Sequence, residues 1–326
     1  MAKKKTQAKK KKAPKRPPQK AAGAGVMMPK AVANLSHAMG VCSVTNPFCP
    51  EARGARWPDN SFTRSKGLGM RGVIEMNCNA NGYNAFLIIP RSGYMYALPS
   101  ATMTTGTASF GLLGLLPGAA GNWPPGVCAR YRIISCGIAL KCTANPLDVA
   151  GMCHVRTYSP MNGISGGMAS LDITSNYSDD RYDVPLARLV DETLYINLMP
   201  LGTEARLFRA PEDPTETAAD FLSGAGFQSV VVGIKGPNNL AGAIVCDWYF
   251  NYEIVYTDAA NQIFMEPPAK YNPKVMHHNA QVLETVPSMQ LSKSAKSVDQ
   301  SFLSRAMSIA GKGIEDMALS AIAGFF

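Results

Sequence analysis

The first 47 residues contain no Phe, Trp or Tyr, and no Asp or Glu occurs before Glu51. A segment with neither aromatic anchors nor counter-charges buries too little surface to offset the entropy of ordering, so it is expected to be disordered in isolation. Of the eight cysteines, none forms a C-x-x-C pair, which argues against a thiolate metal site. Several lie inside strand-like runs and read as reduced, buried, small apolar side chains of a cytosolic protein. No apolar core follows the N-terminal lysines, as a secretory signal requires. The longest apolar stretches, around residues 112–116 and 317–326, fall short of the roughly 20 residues of a membrane-spanning helix. The chain holds no G-x-x-x-x-G-K-[ST] or H-E-x-x-H, and only four histidines.

What is present is charge gathered at one end. Ten of the 32 Lys and Arg stand within residues 1–20: Lys3, Lys4, Lys5, Lys9, Lys10, Lys11, Lys12, Lys15, Arg16 and Lys20. The other 22 meet 23 acidic residues, so the formal charge of +9 belongs to an arm on a near-neutral body. Interleaved with Pro14, Pro17 and Pro18, such an arm suits a phosphate backbone, bound through counterion release without base reading. A targeting signal, a membrane-surface anchor or an expression artefact would share this composition. A second basic cluster, Arg53, Arg56, Arg64, Lys66 and Arg71, extends the arm, and Arg53 and Arg56 are expected to join its RNA contacts.

Composition divides the chain into residues 1–66 (arm and extended lead-in), 67–258 (a strand-rich body) and 259–326 (a tail). Strand patterns fall at 73–79, 85–90, 93–98, 130–142, 152–157, 194–199, 206–209, 227–235 and 245–257. In 245–257, Cys246, Trp248, Phe250, Tyr252, Ile254 and Tyr256 share one face, while Asp247, Asn251 and Glu253 share the other. That alternation fits a strand with one buried face. In 130–142 the expected inner face is Ile134, Cys136, Ile138, Leu140 and Cys142. Loops rich in Gly, Pro, Ser and Thr span 99–128, 158–193 and 210–224. About eight strands with long connections predict an all-β fold, an eight-stranded antiparallel jelly-roll barrel behind a disordered basic arm.

The tail shows little strand pattern over 259–296 and then a capping box at 297–300. Leu303, Met307, Ile314, Met317 and Phe325 follow at helical spacing, predicting a C-terminal amphipathic helix. Such a helix either docks on the barrel or enters a membrane interface. Asp179, Asp180 and Asp183, in a loop with Arg181, either bind Ca²⁺ between subunits or stay solvated. No other cofactor is expected. Gly163-Ile164-Ser165-Gly166-Gly167 matches the nucleophile-elbow pattern but sits in a loop, with His154 before the serine rather than after it, so a Ser165 hydrolase is disfavoured. His277 and His278 are adjacent, and adjacent side chains of an extended segment point apart.

Gly54, Pro58 and Asp59 precede Phe86-Leu87-Ile88-Ile89-Pro90 and Gly93-Tyr94-Met95-Tyr96, while Trp248, Glu253-Ile254-Val255-Tyr256 and the final Gly324-Phe325-Phe326 lie downstream. In these patches and in layout the chain resembles nodavirus-like and tombusvirus-like coat proteins. The resemblance implies a structural protein of the virion, assembled from many copies in the host cytoplasm. Its jelly-roll subunits would tile an icosahedral shell, and its basic N-termini would condense single-stranded genomic RNA. In insect nodaviruses an aspartate promotes cleavage at an Asn-Ala bond, freeing a membrane-active peptide. Here the matching position falls in Asn46-Pro47-Phe48, and the bond between Asn279 and Ala280 precedes rather than follows Val286-Pro287. Autocleavage is therefore not expected, because such chemistry needs a buried carboxylate acid or base. A cellular RNA-binding protein would share the arm but leaves the large near-neutral β body unexplained.

Overall fold

The computed structural model describes residues 43, 46–48, 52, 54–57, 63–90, 95–99, 107–108, 128–159, 171–172, 180–210, 226–257, 265–267, 273 and 287–293. The basic arm, the Gly163–Gly167 motif, Asp179, Arg53, the bond at 279–280 and the C-terminal helix positions lie outside these residues.

Two five-stranded antiparallel sheets face each other. The first has the order β1 (Lys66–Met76), β11 (Ile244–Tyr256), β5 (Cys128–Lys141), β9 (Thr193–Leu198), β12 (Met289–Ser292). The second runs β3 (Met95–Pro99), β2 (Tyr83–Pro90), β10 (Ser229–Lys235), β6 (Met152–Tyr158), β8 (Asp180–Pro185). Between them lies one apolar core. Trp248, Phe250 and Tyr252 of β11 and Ile138 and Leu140 of β5 meet Phe86, Ile88, Val155, Val230 and Val232 from the opposite sheet. Period-two alternation makes this possible, since every second side chain of each strand enters the same layer. A two-stranded ribbon, β4 (Thr107–Ala108) with β7 (Leu171–Asp172), joins two of the long connections.

The alternation expected over residues 130–142 holds only in part. A register shift beside Asn251 and Tyr252 pairs Tyr252 with Ile133 and Asn251 with Ser135, leaving Ile134 as the extra residue of a β-bulge. Cys136, Ile138, Leu140 and Cys142 line the core, but below the bulge Tyr131 and Ile133 take that role and Ile134 does not. The bulge thereby turns Arg132 to the face away from the core, which Ser135 occupies by alternation with Cys136.

Other expectations are corrected. β1 begins at Lys66, not Val73; Gly67, Gly69 and Gly72 mask it, because glycine depletes the strand signal. The expected strand at 206–209 is a 3-10 turn, Thr203–Arg206, followed by a single bridge from Arg209 to Tyr131. Asp180–Pro185, read as loop, is the edge strand β8, and Met289–Ser292 of the tail is the edge strand β12. Neither reveals itself by alternation: β8 is half-exposed and rich in charge, and β12 is four residues long.

Candidate functional site

Two of the three polar residues on the outer face of β11 are not at the surface. Asn251 and Glu253 are 3% and 2% exposed, because the lead-in to the barrel lies across the outer face of the first sheet. Ser43 Oγ shares a 2.7 Å hydrogen bond with Ser135 Oγ. Asn251 Nδ2 donates to Pro47 O at 3.1 Å and to Ser135 Oγ at 2.9 Å. Phe48 stands edge-on between Tyr195 and Tyr249, with ring centroids at 5.1 and 5.0 Å. Gly137 makes room for it. A Cβ there would lie 2.8 Å from Phe48 Cζ, from Pro47 Cγ and from Ile196 O. An aromatic clamp of this kind contributes about 0.5–1.5 kcal/mol per ring pair beyond the buried area.

Nearer the bulge the contact becomes ionic. Glu253 Oε2 accepts from Arg132 Nε at 2.8 Å, lies 2.7 Å from Arg132 Nη2, and accepts the backbone N–H of Trp57 at 3.2 Å. Glu253 Oε1 accepts from Ser65 Oγ. Arg132 Nη1 donates to Arg206 O at 3.0 Å, and its guanidinium stacks 4.2 Å from the Phe208 centroid. Trp57, 1% exposed, donates from Nε1 to Ile133 O at 3.3 Å, and Arg206 lies over its ring. One buried carboxylate thus ties the lead-in, the start of β1 and β5 together. Both charges are compensated, the condition under which a buried pair is tolerated.

The lead-in also grips the segment after the barrel. Arg56 pairs with Glu266 at 3.1 Å and donates to Pro267 O at 2.7 Å. Lys66 Nζ lies 3.1 Å from Glu266, and Arg64 donates to Met265 O. Arg56, one of the expected RNA contacts, has a side chain 10% exposed and held by these partners within the chain. Arg71 lies 4.6 Å over the Tyr249 ring.

On the second sheet, Asp183 is surrounded by basic side chains. Oδ1 lies 2.7 Å from His154 Nδ1 and 2.7 Å from Arg156 Nη2, and Oδ2 accepts from Arg181 Nε at 2.7 Å. Desolvation alone would raise its pKa. The hydrogen bonds from Arg181, His154 and Arg156 outweigh that and hold the carboxyl at about 2. Asp180, three residues away on the same strand, points to the opposite face and sits beside the Thr157 hydroxyl. The two carboxylates therefore do not converge within one subunit. Among the described residues no three His, Cys, Asp or Glu side chains form a group able to hold a metal ion. His154, the histidine nearest in sequence to Ser165, is the partner of Asp183.

Burial pushes the thiols of Cys78 and Cys128 up to about 11 and raises those of Cys136, Cys142, Cys153 and Cys246.

The Arg132–Glu253 pair was missed because alternation assigned Glu253 to solvent. The signals that could have found it are an acidic residue set between Tyr252 and Ile254 and, far earlier in the chain, a Trp57 in a lead-in marked by Gly54 and Pro58.

With this architecture in view, the fold is that of icosahedral virus particle proteins. Infectious bursal disease virus VP2 from a subviral particle superposes with a TM-score of 0.54 at 8% identity, covering 81% of this chain and 97% of that one. The protein of the T13 particle of the same virus gives a TM-score of 0.51 at 8% identity, covering 85% and 98%. No protein-family model matches the sequence, and no curated protein matches it. At such identity the likeness is one of fold.

Proposed function

We propose that this chain is the coat subunit of an icosahedral virion, which self-assembles in many copies in the host cytoplasm and packages single-stranded RNA through residues 1–20. The observation that carries the proposal is the shared two-sheet fold over nearly the whole length of a particle-forming capsid protein. In this reading eight strands make the jelly roll, β1-β11-β5-β9 against β2-β10-β6-β8, with the chain passing from one sheet to the other at β1→β2, β3→β5, β5→β6, β8→β9, β9→β10 and β10→β11. β3 and β12 widen the two layers.

Ser43, Pro47, Phe48 and Trp57 are held on the outer face of the first sheet, and this proposal directs the arm to that side of the shell wall. That face is the lumen side in this proposal. Lys3, Lys4, Lys5, Lys9, Lys10, Lys11, Lys12, Lys15, Arg16 and Lys20 neutralise phosphates, with Arg53 beside them. Ca²⁺ at Asp179, Asp180 and Asp183 would need carboxylates from a second subunit, given the divergence of the last two. The helix over Leu303, Met307, Ile314, Met317 and Phe325 is the candidate for transient membrane contact. Chain cleavage between Asn279 and Ala280 is no part of the proposal: the released piece would include β12, which pairs with β9 over four residues.

The test is expression of the full chain followed by sedimentation, negative-stain microscopy and nuclease-protected RNA assay. Uniform RNA-filled spheres are expected, and a soluble monomer would refute assembly. Deleting residues 2–20 should abolish RNA packaging and leave the barrel folded. Packaging that survives the deletion at physiological salt would remove the arm from its role.

A further inference from the structure

Among the described residues, the first sheet ends in an edge with no strand paired outside it. Ser65 exchanges backbone hydrogen bonds with Glu266 at 3.2 and 2.9 Å, and beyond that bridge β1 is paired, among the described residues, on one side only, to β11. The other edges are blunted: β12 has four residues, β3 ends in Pro99, and β8 carries Asp180, Arg181 and Asp183 and ends in Pro185. β1 has eleven residues and no proline. On the face away from the core it shows Arg71, Val73 and Glu75, all exposed, with Val73 at 53%. A long edge of this kind is a template for another strand.

The order cation, valine, anion also specifies which strand. In an antiparallel pair centred on Val73, Arg71 stands opposite Glu75 of a second copy, and Glu75 opposite Arg71 of that copy. Centring on Arg71 or Glu75 places like charges opposite each other. Centring on Gly72 or Ile74 places neither charge against its opposite. We propose that β1 is a homotypic contact, pairing with β1 of a second copy about a two-fold axis through Val73. The two first sheets then become one continuous sheet of ten strands. The two-fold stands perpendicular to the sheet, so the lead-in segments of both copies remain on the same side. Arg71, braced over Tyr249, lies within cross-strand reach of the partner carboxylate.

This contact rests on the proposal that copies of the chain assemble. The test uses the full chain with Val73→Cys, oxidised after assembly and compared with wild type on a non-reducing gel. Directly opposed residues lie about 4.5–5.5 Å apart at Cα, within disulfide reach. A cross-linked dimer absent from wild type is expected. Arg71→Glu and Glu75→Arg singly set like charges against each other and should lower particle yield about ten-fold, whereas the double variant R71E/E75R should return it to within about two-fold of wild type. Wild-type particles with no Val73→Cys cross-link, or a double variant no better than the singles, would overturn the contact. A cross-link without particles would leave the contact standing and refute the shell. Neither particles nor cross-link would refute both.

Discussion

Replacing Glu253 by Gln keeps the shape of the side chain and removes its charge, leaving the Arg132 guanidinium buried without a counter-ion. The two side chains are 3% and 2% exposed, and Arg132 Nε and Nη2 lie 2.8 and 2.7 Å from the carboxylate, so little solvent screens the loss. Breaking one partner of such a pair costs about 3–5 kcal/mol. For a domain of this size each kcal/mol moves Tm by about 2–4 °C, which gives a fall of about 6–20 °C in thermal unfolding followed by tryptophan fluorescence. Because Glu253 also accepts from Trp57 N–H and Ser65 Oγ, the lead-in should loosen together with the sheet, and trypsin should reach Arg56 and Arg64 sooner. The double variant R132M/E253L removes both charges. It should recover most of the loss but not all, since the Trp57 and Ser65 donors remain without an acceptor, at about 1 kcal/mol each. A Glu253→Gln protein melting within about 1 °C of wild type, or a double variant as unstable as the single, would refute this account of the pair.

Asp183 gives a pH signature. Its folded pKa of about 2 lies below the usual 3.8, so its contribution of about 2 kcal/mol is fully present above about pH 4 and is lost as pH falls towards 2. Asp183→Asn should flatten that acid branch in urea titrations at stepped pH while lowering stability at neutral pH. The six cysteines at 78, 128, 136, 142, 153 and 246 are buried with raised thiol pKa values, so they should resist thiol-specific alkylation at pH 8 until denaturant unfolds the barrel, as read by mass spectrometry. Gly72→Ala should destabilise by about 1–3 kcal/mol in urea unfolding, since its Cβ would lie 2.3 Å from Trp248 Cζ2.

Two kinds of information were legible along the chain. The charge of the arm is a property of composition. The strands at β2, β6, β10 and β11 announce themselves because a buried strand must alternate or run apolar whatever its neighbours are. The all-β class and the likeness to small coat proteins follow from those elements and their order. What the residues could not disclose is which faces are covered. Glu253 and Asn251 have the chemistry of surface residues and occupy surface positions in the alternation. Only the passage of Ser43, Phe48 and Trp57 across the sheet, from about 200 residues earlier in the chain for Trp57 and Glu253, makes them interior. The bulge at Ile134 is equally a tertiary decision: one added residue turns Tyr131 and Ile133 inward and aims Arg132 at Glu253. Short-range pattern determines which segments become strands, because backbone pairing and side-chain alternation are local. The partner on each side of a strand, and hence whether a charge there meets water or a counter-ion, is set by contacts distant in sequence.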